Sequence, residues 1–305
     1  VNENYKLNKS FQEVAIKKFS AGIEPINFDK HIEAAQKINN FVKNKTNDKI
    51  KDLVKEDNIN NKTRVVLVNA NYFKGDWLYK FDKTLTEVDD FYISETKTVS
   101  ADFMHVTSNF RLREFDDLDA TSLELKYANS KLSFVIVLPH KREGLSKLEG
   151  KLSNYNLTKL AGDFSPYDRG YEVILPKFKV DFEINLNDIL KNLGMKEMFD
   201  EENANLSGLL ESKEQLYVSE VLHKAYIEIN EEGAEAASAT SLNVFHLYSA
   251  NPPPPIIPKF QVDHPFLYYI WDTQTQTPVF SGRITKPNVV DRIEKKSCTF
   301  FGLIC

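Results

Sequence analysis

Glu231-Glu232-Gly233-Ala234-Glu235-Ala236-Ala237-Ser238-Ala239-Thr240 is the most informative stretch of this chain. After two acids it holds almost nothing but small residues. Taken every second position, Ala234, Ala236, Ser238, Thr240, Leu242 and Val244 form a small-to-apolar row. The other row, Glu235, Ala237, Ala239, Ser241 and Asn243, is polar or small. Period-two patterning belongs to a strand with one buried face. Yet this segment opens a long connection, about 230–258, that runs through Pro252-Pro253-Pro254-Pro255 between strand-like stretches at 216–229 and 266–271. Connections beyond roughly a dozen residues are uncommon and usually functional or disordered. A solvated loop has no use for strand patterning, whereas a segment that is a loop in one state and an inserted strand in another does. The same residues also read as an Ala-rich linker or a short helix, since Ala favours helix and Gly233 and the prolines would bracket either. The pattern alone leaves these readings open.

Outward from this stretch the chain alternates strands and helices in uneven blocks. Residues 32–45 predict an amphipathic helix, with Ile32, Ala35, Ile38, Phe41 and Val42 at helical spacing. The run Val65-Val66-Leu67-Val68-Asn69-Ala70-Asn71-Tyr72-Phe73 predicts a central strand buried on both faces, and 132–138 predicts another. A strand is expected at 171–175. A helix at 185–193 is expected to close on Gly194, in the position a C-cap glycine prefers. Residues 266–271 and 278–284 predict a hairpin. Without regular β-α alternation, the fold class is α+β with large mixed or antiparallel sheets. No composition break marks a domain boundary.

Composition narrows the function classes. The 305 residues are 42% hydrophobic, ample for a core without disulfides. With 39 basic and 44 acidic residues the net charge is −5, which does not suggest nucleic acid or an anionic membrane as partner. No run approaches the ~18 apolar residues of a membrane helix. The two cysteines, Cys298 and Cys305, have no His or further Cys nearby, so a tail disulfide or free thiols is expected and no metal site. Sequons at Asn8, Asn44, Asn61, Asn156 and Asn205 favour a secreted glycoprotein. No Gly-x-Ser-x-Gly, His-Glu-x-x-His or phosphate-cradling loop occurs, and the six His are scattered, which argues against an enzyme.

Several motifs now combine. The 231–240 stretch resembles the proximal hinge of inhibitory serpins. Val68-Asn69-Ala70-Asn71-Tyr72-Phe73-Lys74-Gly75-Asp76-Trp77 is similar to the signature strand of that family and its Trp. Leu222-His223-Lys224-Ala225 resembles the strand before the hinge. Asp263-His264-Pro265-Phe266 and Phe280-Ser281-Gly282-Arg283-Ile284 resemble the C-terminal barrel strands. Leu175-Pro176-Lys177-Phe178 and Asn205-Leu206-Ser207-Gly208 fall in the family's order. The resemblance covers nearly the whole chain, to about Pro287.

The resemblance implies a serpin domain over 1–288 lacking the family's N-terminal helices, with exposed apolar surface as a consequence. Residues 289–305 stand as a C-terminal extension. It implies a metastable, secreted, monomeric inhibitor with an exposed reactive loop and no cofactor. Its partner is a serine protease whose acyl-enzyme is trapped when the cleaved loop inserts as a strand. Fourteen residues, 234–247, would drag the protease on the order of 45 Å at ~3.3 Å per residue. Counting sixteen residues beyond Glu231, as inhibitory members do, puts the reactive bond at Leu247–Tyr248, with Phe245, His246 and Tyr248 as alternative bait residues. No Lys or Arg lies between Lys224 and Lys259, so a chymotrypsin- or elastase-like target fits better than a trypsin-like one. Ala234 stands where the family prefers Thr or Ser. The resemblance also assigns control of sheet opening to Asn69, His223, Trp77 and Lys177, with Lys177–Glu231 a candidate salt bridge. The alternative is a non-inhibitory serpin (carrier, chaperone or storage protein) or an inactive truncated isoform.

Overall fold

The computed structural model of the protein describes residues 1–162, 169–212, 214–233 and 257–291. Contacts group these into two compact units, Val1–Phe73 with Val180–Ile227, and Lys74–Lys179 with Glu228 onward. The chain leaves the first unit at Lys74, returns at Val180 and leaves again at Glu228. An interleaved division of this kind gives no single break in composition.

Chain order begins with α1 (Lys9–Phe19), α2 (His31–Lys45) and β1 (Val65–Tyr72). β2 (Glu87–Tyr92), β3 (Thr98–Phe115), β4 (Ala120–Lys126), β5 (Leu132–Pro139), α3 (Leu145–Leu152), α4 (Thr158–Gly162) and β6 (Arg169–Pro176) follow. Then come β7 (Phe178–Asn185), α5 (Asn187–Asn192), β8 (Val218–Ile229), β9 (Lys259–Gln261), β10 (Phe266–Asp272) and β11 (Thr277–Ile284). This is the α+β class with mixed sheets. The helix expected at 185–193 is shorter at both ends, and Gly194 follows it with φ +100°, the left-handed cap that glycine adopts without a Cβ clash.

In the first unit, three strands run in the order β1-β8-β7. β1 and β8 are parallel, pairing Leu67 with Val221, Asn69 with His223 and Tyr72 with Tyr226. α2 lays Ala34, Ala35, Ile38 and Val42 on this sheet, against Val66, Val68, Ala70 and Tyr72. Ile32 and Phe41, expected on the buried stripe, lie at its margin and are 52% and 39% exposed. The expectation of a β1 buried on both faces is corrected. Burial alternates along it, Leu67 is 42% exposed, and β1 stands at the edge of its sheet. Asn69 and Asn71 share the face of Leu67, the face that α2 does not cover.

The second unit holds the sheet ordered β11-β10-β5-β4-β3-β6-β9, with β2 paired to β3. Here the two-sided reading holds: β5 is flanked by β4 and β10, and Ser133 to Pro139 are all buried. α3 and α4 pack Leu145, Leu148, Leu152, Leu160 and Ala161 onto Val135, Val137, Leu267 and Trp271. The expected hairpin is β10–β11, antiparallel from Phe266↔Ile284 to Asp272↔Thr277.

Candidate hinge and sheet-opening site

At the end of β8 the chain turns tightly. Gly233 N–H donates to Asn230 O at 3.2 Å, and Asn230 Oδ1 accepts from Glu232 N at 3.1 Å. Gly233 has φ +105°, and a Cβ built there would sit 2.3 Å from Gly75 O and 2.7 Å from Trp77 N. Both the backbone conformation and the space therefore require glycine.

The three residues before Gly233 are bound by the segment that follows Gly75. Trp77 Nε1 donates to Asn230 O at 2.9 Å, Trp77 N to Glu232 O at 3.1 Å, and Phe81 N to Glu231 O at 3.0 Å. The Trp77 ring is 2% exposed, stacks on Tyr127 with centroids 4.6 Å apart, and meets Phe81 and Phe134 edge-on. One buried indole thus fixes both the core beneath the turn and the carbonyl of Asn230, the first residue after the strand.

Glu231 is 6% exposed. A buried carboxylate is tolerated when it is paired and hydrogen-bonded. Here Oε1 accepts from Lys177 Nζ at 3.1 Å and from Thr86 Oγ1 at 2.8 Å. Burial alone would push its pKa up, but its own backbone N–H, Thr86 and Lys177 together hold it below the usual carboxylate value. Glu232 is half-buried and pairs with the exposed Lys83 Nζ at 2.6 Å, which raises the lysine's pKa through that hydrogen bond.

In the first unit, Asn69 and His223 stand opposite one another on β1 and β8. Asn69 Oδ1 lies 2.9 Å from His223 Nδ1, so the imidazole carries its proton on Nδ1 and donates. Partial burial lowers the imidazole pKa. Lys224, whose side chain is 12% exposed, reaches Asp181 and Glu183 on β7, each at 3.3 Å.

Of the residues singled out from sequence, Trp77, Lys177, Glu231, Glu232 and Gly233 come together in the second unit, and Asn69 with His223 in the first. Ala234, Glu235, Ala236, Ala237, Ser238, Ala239, Thr240, the Leu247–Tyr248 bond and both cysteines lie outside the described residues. The sequence reading missed Thr86, Lys83, Phe81 and Tyr127. None belongs to a quoted motif, and only the nearness of 81–86 to Trp77 in the chain pointed toward them. Among the described residues, no group of three His, Cys, Asp or Glu is placed to hold a metal ion, and no helix is long and apolar enough to cross a membrane.

A family model described as Serpin (serine protease inhibitor) matches residues 1–287. Antichymotrypsin-2 of Bombyx mori is 38% identical over 270 residues, covering 88% of this chain and 70% of that protein. Antitrypsin of Bombyx mori is also 38% identical, over 268 residues, covering 88% and 67%. Among solved structures, that of Serpin48, a highly specific serpin in the insect Tenebrio molitor, is similar with a TM-score of 0.81. It is 34% identical, over 94% of this chain and 74% of that one.

Proposed function

This chain belongs to the serpin family, and we propose that within it the chain is a suicide-substrate inhibitor of a chymotrypsin- or elastase-like serine protease, not an enzyme. The protease opens the reactive bond, placed by count at Leu247–Tyr248, and forms an acyl-enzyme. The segment 234–247 then inserts between β1 and β8. Displacement of the bound protease distorts its oxyanion hole, which tolerates little movement, and deacylation stops.

The observation that carries this reading is the β1–β8 ladder. It is parallel, it joins strands from distant parts of the sequence, and β8 runs directly into Glu231-Glu232-Gly233. A small-residue strand leaving that turn could add to either partner once they part, because each would then offer an unpaired backbone edge. The absence of large side chains at 234 and 236–240 supports the same step, since a bulky or charged inward group would be buried without a partner. Two relatives of equal identity are named for different proteases, so target preference is assigned to the loop residues and not to overall likeness. Lacking a base between Lys224 and Lys259, this loop suits an apolar specificity pocket. We take 1–288 as the inhibitory domain and 289–305 as an extension. A secreted, glycosylated chain is supported by the exposure of Asn44, Asn61, Asn156 and Asn205, all in sequons.

The test is a reducing, denaturing gel after mixing the protein with chymotrypsin. A band near the summed masses supports trapping, and sequencing the released peptide fixes the bond. Cleaved chain alone would mean bait without a trap, and the carrier reading would replace this one.

A further inference from the structure

Where β1 and β8 begin, the first unit contains a cavity of about 220 Å³. Its walls come from three places: Asn60 and Lys62 before β1, Ser219 and Glu220 at the start of β8, and Asn187 and Lys191 on α5. The ladder is irregular at this point. Val65 pairs with Val218 and Val66 with Glu220, so Ser219 is an extra residue on β8. A bulge re-aims the side chains around it and is over-represented beside functional sites. This one is held in place: Ser219 Oγ accepts from Arg64 N and Ser219 O from Asn187 Nδ2, both at 2.9 Å. Val221 N donates to Asn187 Oδ1 at 2.9 Å, so Asn187 stands in for a strand partner beyond the bulge.

The groups lining the cavity suit an anion that carries hydroxyls. Two lysines, Lys62 and Lys191, line the cavity against one carboxylate, Glu220. That carboxylate accepts from Asn185 Nδ2, and burial raises its pKa against the lowering pull of Asn185 and Lys191. The Lys191 ammonium also sits 5.3 Å from the Phe199 ring centre, which orients its stem along the wall. Asn60 Oδ1 is occupied by the Lys62 N–H at 2.8 Å, leaving its amide N–H groups as the donors it can offer. A free phosphate ion would underfill this space. A phosphorylated sugar brings hydroxyls for Glu220 and Ser219 as well as charge for the lysines.

We propose that this cavity binds a small phosphate monoester, and that the ligand, gripped from both sides, ties the lead-in of β1 to the start of β8. The tie rests on the inhibitor reading, in which those two strands must part. A bound ligand then slows loop insertion and makes the protein a regulated inhibitor.

The test uses the intact chain at constant ionic strength, titrated with glucose 6-phosphate, inorganic phosphate and sulfate. Saturable binding of glucose 6-phosphate is expected, at least tenfold tighter than either ion. Lys62→Ala and Lys191→Ala should each weaken it about tenfold, Lys62→Met should do the same with the apolar stem retained, and Lys97→Ala in the other unit should not. No saturable binding, equal binding of all three probes, or a Kd unmoved by the lysine variants overturns the site. The tie is read separately, from the rate at which a synthetic peptide of residues 234–247 anneals and raises the melting temperature. Glucose 6-phosphate should slow annealing about fivefold or more, and an unchanged rate overturns the tie. Binding is measured without a protease, so a failed trap on the gel leaves it standing, and failed binding leaves the gel result standing.

Discussion

The carboxylate of Glu231 and the ammonium of Lys177 meet at 3.1 Å at the foot of the turn that ends β8, with Glu231 almost wholly out of water. Half of this pair belongs to the turn that follows β8 and half to the step between β6 and β7. The pair therefore reports directly on whether the turn is seated.

Removing Lys177 leaves a buried carboxylate with only Thr86 and its own backbone N–H. Lys177→Ala should cost about 1–3 kcal/mol at neutral pH. Since the folded-state pKa of Glu231 lies below its unfolded value of 4.5, the stabilisation is present above pH 4.5 and is lost as pH falls through the folded value. Urea melts at pH 7 and at about pH 3 should show the gap between wild type and variant closing on the acid side. A gap that stays constant would remove the charge from the explanation.

His223 gives a second pH dependence in a different window. Its folded pKa is lowered by burial, so the neutral form stabilises the fold above the unfolded value of 6.5, and that contribution fades as pH drops below it. Thermal melts between pH 7.5 and 5.5 should fall more steeply for wild type than for His223→Gln. Asn69→Ala should cost about 0.5–1.5 kcal/mol through the lost Nδ1–H bond.

Gly233 is tested by adding a single methyl group. Gly233→Ala must find room against Gly75 O and Trp77 N at a positive φ, so the turn has to open. A loss of roughly 1–3 kcal/mol is expected, together with a red shift of tryptophan emission as the Trp77 indole loses its partner. An unchanged spectrum and stability would show that the turn is not held as described.

The inhibitor reading itself makes a sharper demand on one side chain. Ala236→Arg puts a charge on the row that must face inward on insertion, at a cost of several kcal/mol if it is buried unpaired. With chymotrypsin, the expected outcome is a shift from covalent complex to cleaved product by tenfold or more, without loss of native stability. Equal trapping by both forms would show that 236 does not enter the sheet.

Much of this was legible in the sequence, for identifiable reasons. β5 reads as a buried strand because seven apolar or small residues run unbroken into Pro139, and it is buried on both faces. β1 reads the same way at Val65–Val68, yet Asn69 and Asn71 already mark an uncovered face, and Leu67 hides the alternation. The partners of Glu231 illustrate the limit. Lys177 was within reach through a family motif, but Thr86 is an ordinary threonine whose role exists only because the fold returns the chain to it. The bulge at Ser219 was equally unreadable, since it depends on a register between strands that share no local sequence.

Distance along the chain has a consequence in time. Asn69 and His223 are separated by 154 positions. At a synthesis rate of about 5–20 residues per second, β1 leaves the ribosome roughly eight to thirty seconds before its partner strand exists. Over that interval its backbone edge and Leu67 have nothing in β8 to pair with, and loop closure of this span is intrinsically slow. The nascent protein is therefore most exposed to mispairing with another strand, or to capture by a chaperone, in the window that β8 finally closes.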